Sequence, residues 1–107
     1  MADFVEISDP SEFTVVEEQS AAMPLLLFKH SNSCSISSDL FREVSALDSR
    51  VYLVVVQRSR ALSDEISSRL QLRHESPQAI VLKNSGVVYH ASHYDIDIPK
   101  IRELLEK

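Results

Sequence analysis

Leu25-Leu26-Leu27-Phe28-Lys29-His30-Ser31-Asn32-Ser33-Cys34-Ser35-Ile36-Ser37 is the stretch on which the reading of this chain turns. Leu25–Phe28 follows Pro24 and runs without a polar residue. A strand covered on both faces reads this way, because a parallel sheet carries helices on each side. The polar segment Lys29–Ser33 reads as a loop. From about Cys34 to Leu47, the residues Ile36, Leu40, Val44 and Leu47 recur at intervals of four, four and three, on one face of a helix. Val51–Val56 is a second buried strand. Strand, helix and strand make a βαβ crossover, which is right-handed in nearly all proteins.

Outward from that unit, Asp9-Pro10-Ser11-Glu12 is a helix start. Asp9 caps, Pro10 suits the first helical position, and Glu12 stands where a capping-box carboxylate reaches back. Phe13 and Val16 share a face, and this helix runs to about Ser20. Leu62, Ile66 and Leu70 mark another amphipathic helix. Pro77 precedes a strand at Ala79–Leu82, Asn84-Ser85-Gly86 turns, and Val87–Ala91 pairs back as a hairpin. A last helix capped by Asp97 buries Ile98, Ile101 and Leu105. Counting a weak strand at Phe4–Ile7, the elements alternate as an α/β protein does: a central mixed sheet with helices on both faces. No repeat, linker or low-complexity tract divides the chain, so residues 1–107 read as one domain.

Composition narrows the function. The chain has 107 residues, 44% hydrophobic and 25% charged, with one Gly, one Cys and a net charge of −5. An acidic chain lacks the basic footprint that nucleic acid needs. One cysteine cannot staple a secreted scaffold. Met1–Pro10 holds three acidic residues and no Lys or Arg, unlike a secretory signal. The apolar runs fall far short of the ~20 residues that span a bilayer. A reducing, cytoplasmic compartment is the expectation. A single glycine leaves no phosphate-cradling loop for a nucleotide cofactor.

Cys34 is the one chemically loaded position. It falls where a parallel strand has ended and a helix begins. The first backbone N–H groups of a helix lack intrahelical partners, and the macrodipole is positive there, so both favour a thiolate. The bland alternative is a buried structural cysteine. The flanking Ser33 and Ser35, and a placement off the Ile36/Leu40/Val44 face, argue for a reactive thiol. Ser37 stands three residues on, where a dithiol motif carries its second cysteine. A mixed disulfide on Cys34 therefore needs an external thiol for its resolution. Lys29 and His30 are candidates to bring positive charge to the sulfur, His30 as a modulator of its ionisation. Ser76-Pro77 leads into the strand expected beside Cys34. A cis bond there would offer the Ser76 backbone to an extended substrate, but the base rate favours trans. Arg58 and Arg60 read either as partners of an anionic thiol or as loop charges. His74, His90 and His93 show no metal-ligand spacing, so no metal is expected.

The order strand, Cys-x-x-Ser at a helix start, helix, then Ser-Pro before a hairpin resembles the thioredoxin fold. Phe28-Lys29-His30-Ser31, Ser33-Cys34-Ser35-Ile36-Ser37, Arg73-His74-Glu75-Ser76-Pro77-Gln78 and His90-Ala91-Ser92-His93 resemble the YtxJ-type monothiol bacilliredoxins over nearly the whole chain. In that family the cysteine lies in a Thr-Cys-Pro-Ile-Ser segment and takes bacillithiol from a protein mixed disulfide. The resemblance implies that Cys34 is the nucleophile, Ser37 the place of the absent resolving cysteine, and Pro77 a cis proline facing it. It also implies Ser33, Ser35, Ile36, Ser37, Ser76 and Pro77 as substrate-binding residues. Bacillithiol is then the co-substrate with no bound cofactor, and the partners are S-thiolated proteins met by a monomer. Ser33 replaces the family's Thr and Ser35 its Pro, which leaves an extra N–H and hydroxyl beside the sulfur. Two competitors stand beside this reading. One is a thioredoxin-like binding module without turnover. The other is a glutathione-dependent monothiol glutaredoxin-like protein, whose usual Cys-Gly-Phe-Ser does not match Ser35-Ile36.

Overall fold

Asp9 opens the first helix as expected. Its Oδ1 accepts from the Glu12 N–H at 3.1 Å, and Glu12 Oε1 accepts from the Asp9 N–H at 3.3 Å. A reciprocal cap of this kind is worth about 1 kcal/mol. The computed structural model describes Met1–Lys107. Its elements are β1 Asp3–Glu6, α1 Pro10–Gln19, β2 Leu25–His30, α2 Ser35–Val44, β3 Arg50–Val55, α3 Arg60–Leu70, β4 Gln78–Lys83, β5 Gly86–Ser92, a 3-10 turn at His93–Asp95, and α4 Ile98–Leu105. No helix is long and apolar enough to cross a membrane.

One sheet holds all five strands in the order β1-β3-β2-β4-β5. The first three strands run parallel, β4 is antiparallel to β2, and β5 is antiparallel to β4. This is the mixed α/β sheet that the sequence predicts, and the order agrees with the fold the resemblance implies. Side chains alternate across each strand, so one sheet supplies two cores. On one face Leu26, Phe28, Val51, Val55, Ala79 and Val81 pack under Leu40 and Val44 of α2 and Ile98 and Ile101 of α4. On the other, Leu25, Leu27, Val54, Ile80 and Leu82 pack under Phe13 and Val16 of α1 and Leu62 and Ile66 of α3.

Beyond shifts of one residue at the ends of β1, α1, β3, β4 and β5, three features differ from the expectation. The second helix ends at Val44 rather than Leu47, although Leu47 stays buried in the following turn. The hairpin turn is Asn84 (φ 53°) and Ser85 (φ 62°) alone, and Gly86, expected in the turn, already opens β5. Both turn positions then carry the positive φ that suits a two-residue hairpin. Their N–H groups donate to Ser20, to its carbonyl and its hydroxyl, each at 2.8 Å. The third difference bears on function. Lys29 and His30 are not loop residues but the last two of β2, paired with Val54 and Val55 of β3. Their polar heads are partnered inside the protein, and that is what lets the strand continue through them.

Candidate functional site

The sheet register assembles the site. Parallel strands β2 and β3 finish together at His30 and Val55, while antiparallel β4 begins with Gln78 opposite Lys29. Cys34, four residues past β2, and Pro77, one residue before β4, therefore stand at the same end of the sheet. The carboxyl ends of parallel strands are where α/β sheets open a crevice. A third piece joins them: the His93 N–H donates to the Pro77 carbonyl at 3.0 Å, and the Tyr94 hydroxyl donates to Asp39 of α2 at 2.8 Å.

Cys34 is the N-cap of α2, with extended backbone (φ −116°, ψ 122°) and a side chain that makes no capping hydrogen bond. Its thiol is free and half-buried. Its carbonyl already accepts the first helical bond, from Ser38 at 3.1 Å. The sulfur thus sits on the amide end of α2 without being used to close it. Ser33 and Ser35 flank it in solvent, and Ile36 is half-buried against the α2-side core. Gln57 fastens the preceding loop. Its Nε2 donates to Ser31 Oγ at 2.7 Å and Ser33 Oγ at 3.1 Å, and its Oε1 accepts from the Asn32 N–H at 3.1 Å.

Ser37 is fully buried. Its hydroxyl accepts from the Ser31 N–H at 2.9 Å and lies 2.8 Å from His30 Nδ1. The expectation that it touches substrate does not fit that burial; Ser37 holds the loop and helix together beneath Cys34. His30 needs a correction as well. Its ring packs 4.8 Å from that of Phe41, and burial, then the nearby Arg58, holds its pKa below the ordinary 6.5. A neutral imidazole brings no positive charge to the sulfur. His30 acts on this region through Ser37.

Lys29 points to the opposite face. It is fully buried, and its ammonium donates to Ser63 O at 3.0 Å, Ser67 Oγ at 3.0 Å and His74 Nδ1 at 3.2 Å. Burial pushes its pKa down to about 8, against the pull of Asp64. The positive charge expected beside Cys34 is therefore spent under α3 instead. Burial and the Lys29 charge likewise lower the pKa of His74. Arg58 is committed to Glu6, at 3.1 and 2.9 Å, which answers one of the two loop arginines.

The segment before β4 is held by side chains. Gln78 Nε2 donates to the Arg73 carbonyl at 3.1 Å, and Glu75 lies 3.8 Å from His93. Pro77 is buried, and the Ser76–Pro77 bond is cis, as the resemblance implies and the base rate does not. Sequence reasoning missed Gln57, Asp39 and Tyr94. Gln57 and Tyr94 come from other elements, so no spacing joins them to Cys34, and Asp39, on the same helix, shows its partner only through Tyr94. The sequence weighs His74 as a possible ligand and as part of the Arg73–Gln78 resemblance, without showing its partner Lys29, and no three His, Cys, Asp or Glu residues come together as a metal-holding group.

Comparisons with known proteins give the family and the fold. The family described as monothiol bacilliredoxin BrxC matches residues 5–101. A solved structure described as a proposed oxidoreductase with a thioredoxin fold is 29% identical, with a TM-score of 0.86 over 97% of this chain and 94% of its own. Reduced thioredoxin pre-protein from Schistosoma mansoni is 18% identical, with a TM-score of 0.68 over 97% of this chain and 96% of its own. Thioredoxin from Fasciola hepatica is 12% identical, with a TM-score of 0.71 over 94% of this chain and 95% of its own. These two speak to the fold alone. With a lone thiol at a helix start, at the end of the sheet it shares with a cis proline, the chain belongs to the monothiol bacilliredoxin family and is a thiol–disulfide oxidoreductase of thioredoxin-like fold.

Proposed function

We propose that the protein removes a low-molecular-weight thiol, bacillithiol, from S-thiolated proteins, with Cys34 as the nucleophile. The observation that carries the reading is the free, half-buried Cys34 thiol at the N-cap of α2, unused as a cap. The Cys34 thiolate attacks the bacillithiol sulfur of the protein mixed disulfide. A Cys34–bacillithiol disulfide forms, the original S–S bond breaks, and the client cysteine leaves as a thiolate that takes a proton. With no second cysteine in the chain, a second external thiolate attacks the adduct, leaves with bacillithiol as a disulfide, and returns Cys34. The N–H groups opening α2 stabilise the attacking and departing thiolate.

In this reading Ser33, Ser35 and Ile36 line the sulfur, and Ser76-Pro77 receives the substrate across from it. Ser35 adds an N–H and a hydroxyl where the family carries Pro. A more stabilised thiolate attacks more slowly and departs more readily. The chain acts as a single-domain monomer in a reducing, cytoplasmic compartment. Intact mass after mixing with a bacillithiolated test protein, beside a glutathionylated one, tests the reading. One bacillithiol should move onto Cys34, with much less glutathione transferred. A mass unchanged by both would remove the proposal.

A further inference from the structure

Lys29 is the polar residue whose placement the reaction leaves unexplained. A fully buried ammonium costs several kcal/mol unless well partnered, and this one meets a carbonyl, a hydroxyl and an imidazole nitrogen rather than a carboxylate. An apolar chain of the same length would fill the space without that cost. What the ammonium adds is the placement of its acceptors. Two of them, Ser63 O and Ser67 Oγ, belong to α3. The third is His74, in the segment between α3 and β4.

That segment has little backbone pairing of its own. Gln71 ends α3 in the left-handed region (φ 56°), Leu72 donates back to Ser67 O at 3.0 Å, and no ladder forms before Gln78. Its fastenings are Lys29 on His74, Glu75 against His93 at 3.8 Å, Gln78 Nε2 on the Arg73 carbonyl, and the His93 N–H on the Pro77 carbonyl. An ammonium can only donate, so His74 Nδ1 accepts. Ser63 Oγ, at 3.2 Å from the same nitrogen, completes the seat. The Arg-His-Glu-Ser-Pro-Gln run thereby acquires a physical reading: its histidine is the anchor and its Ser-Pro the part being placed.

We infer that Lys29 and His74 are positioning residues whose contact clamps the Arg73–Pro77 segment onto β2 and α3, fixing where Ser76-Pro77 stands relative to Cys34. The inference rests on the reading that Ser76-Pro77 receives the substrate.

The test compares wild type with His74→Leu, His74→Asn and Lys29→Met. The Asn amide oxygen falls near the position of Nδ1, so His74→Asn keeps an acceptor for Lys29. Backbone 15N order parameters at Glu75 and Ser76 should fall from about 0.85 to about 0.6 in His74→Leu and Lys29→Met, and recover in His74→Asn. The His93 amide, which reports on the Pro77 carbonyl, should exchange ~10-fold faster in the first two, while core amides of β2 and β4 hold. Transfer from a bacillithiolated protein should slow ~10-fold, as loss of one part-buried, charge-assisted hydrogen bond allows, with iodoacetamide alkylation of Cys34 changed less than about twofold. Lys29→Met should keep or raise Tm, which separates placement from general weakening. Unchanged order parameters in both variants would overturn the inference, and so would transfer and alkylation slowing together. If the wild type transfers no thiol, the proposed function falls, while the order parameters still decide whether the clamp exists.

Discussion

Lys29 and His30 are adjacent in β2, yet they work in different layers of the molecule. The two-residue period of a strand sends one side chain under α3 and the other under α2. His30 packs against the Phe41 ring and steadies Ser37, which ties the Ser31 loop to the helix that Cys34 caps. Lys29 is sealed in a ring of acceptors and steadies His74, ahead of Ser76-Pro77. One arm holds the half of the site that carries the sulfur; the other holds the half proposed to meet the substrate. The difference lies in charge. The α2-side arm keeps a neutral imidazole, whereas the α3-side arm keeps an ammonium, at a cost to stability that the other does not bear.

Removing what both arms serve has the largest expected effect. Cys34→Ser should reduce thiol transfer to background while circular dichroism and Tm stay near wild type; retained transfer would break the mechanism. Next comes the charge difference. Between about pH 8, the value to which burial lowers Lys29, and 10.5, its ordinary value, the unfolded chain holds a proton that the folded chain has released. Stability should therefore rise with pH across that window, by roughly 3 kcal/mol. Denaturant melts of Lys29→Met should lack the rise, and a rise of the same size in that variant would refute the burial cost.

Smaller again is Ser37→Ala, which strips the partner from the Ser31 N–H and from His30. It should cost about 1–3 kcal/mol in urea denaturation, and a neutral result would mean that the α2-side arm bears no load. Both histidines have lowered pKa values from burial, added to by Arg58 for His30 and by Lys29 for His74. As pH falls below about 6.5 the unfolded chain takes up protons first, so stability should fall, less steeply in His74→Asn. The smallest effect is the coupling itself. Ser37→Ala and His74→Leu, on opposite faces, should add to within about 0.5 kcal/mol, and a coupling well above that would merge the two arms into one.

The βαβ core, the caps at Asp9 and Asp97 and the place of Cys34 were legible because each depends on neighbours within a few residues. The supports of the site were not. Lys29 and His30 read as loop because a charged or polar residue ends an apolar run, and only partners far along the chain, Ser63, Ser67 and His74 for Lys29, make their burial tolerable. Ser37 as a substrate contact came from the resemblance, and its spacing from Cys34 does not show that its hydroxyl is already spent on Ser31 and His30. The cis bond at Pro77 came from resemblance, because local preference favours trans. Gln57 carried no local signal at all, yet it holds three residues of the Cys34 loop.

The central claim is that Cys34 itself takes the thiol from the client protein. A quenched single turnover tests it most directly, following by mass both the freed client cysteine and the Cys34 adduct. The account predicts that the two appear with one rate and equal amounts. Client thiol released without an adduct on Cys34, or no release at all, would contradict it.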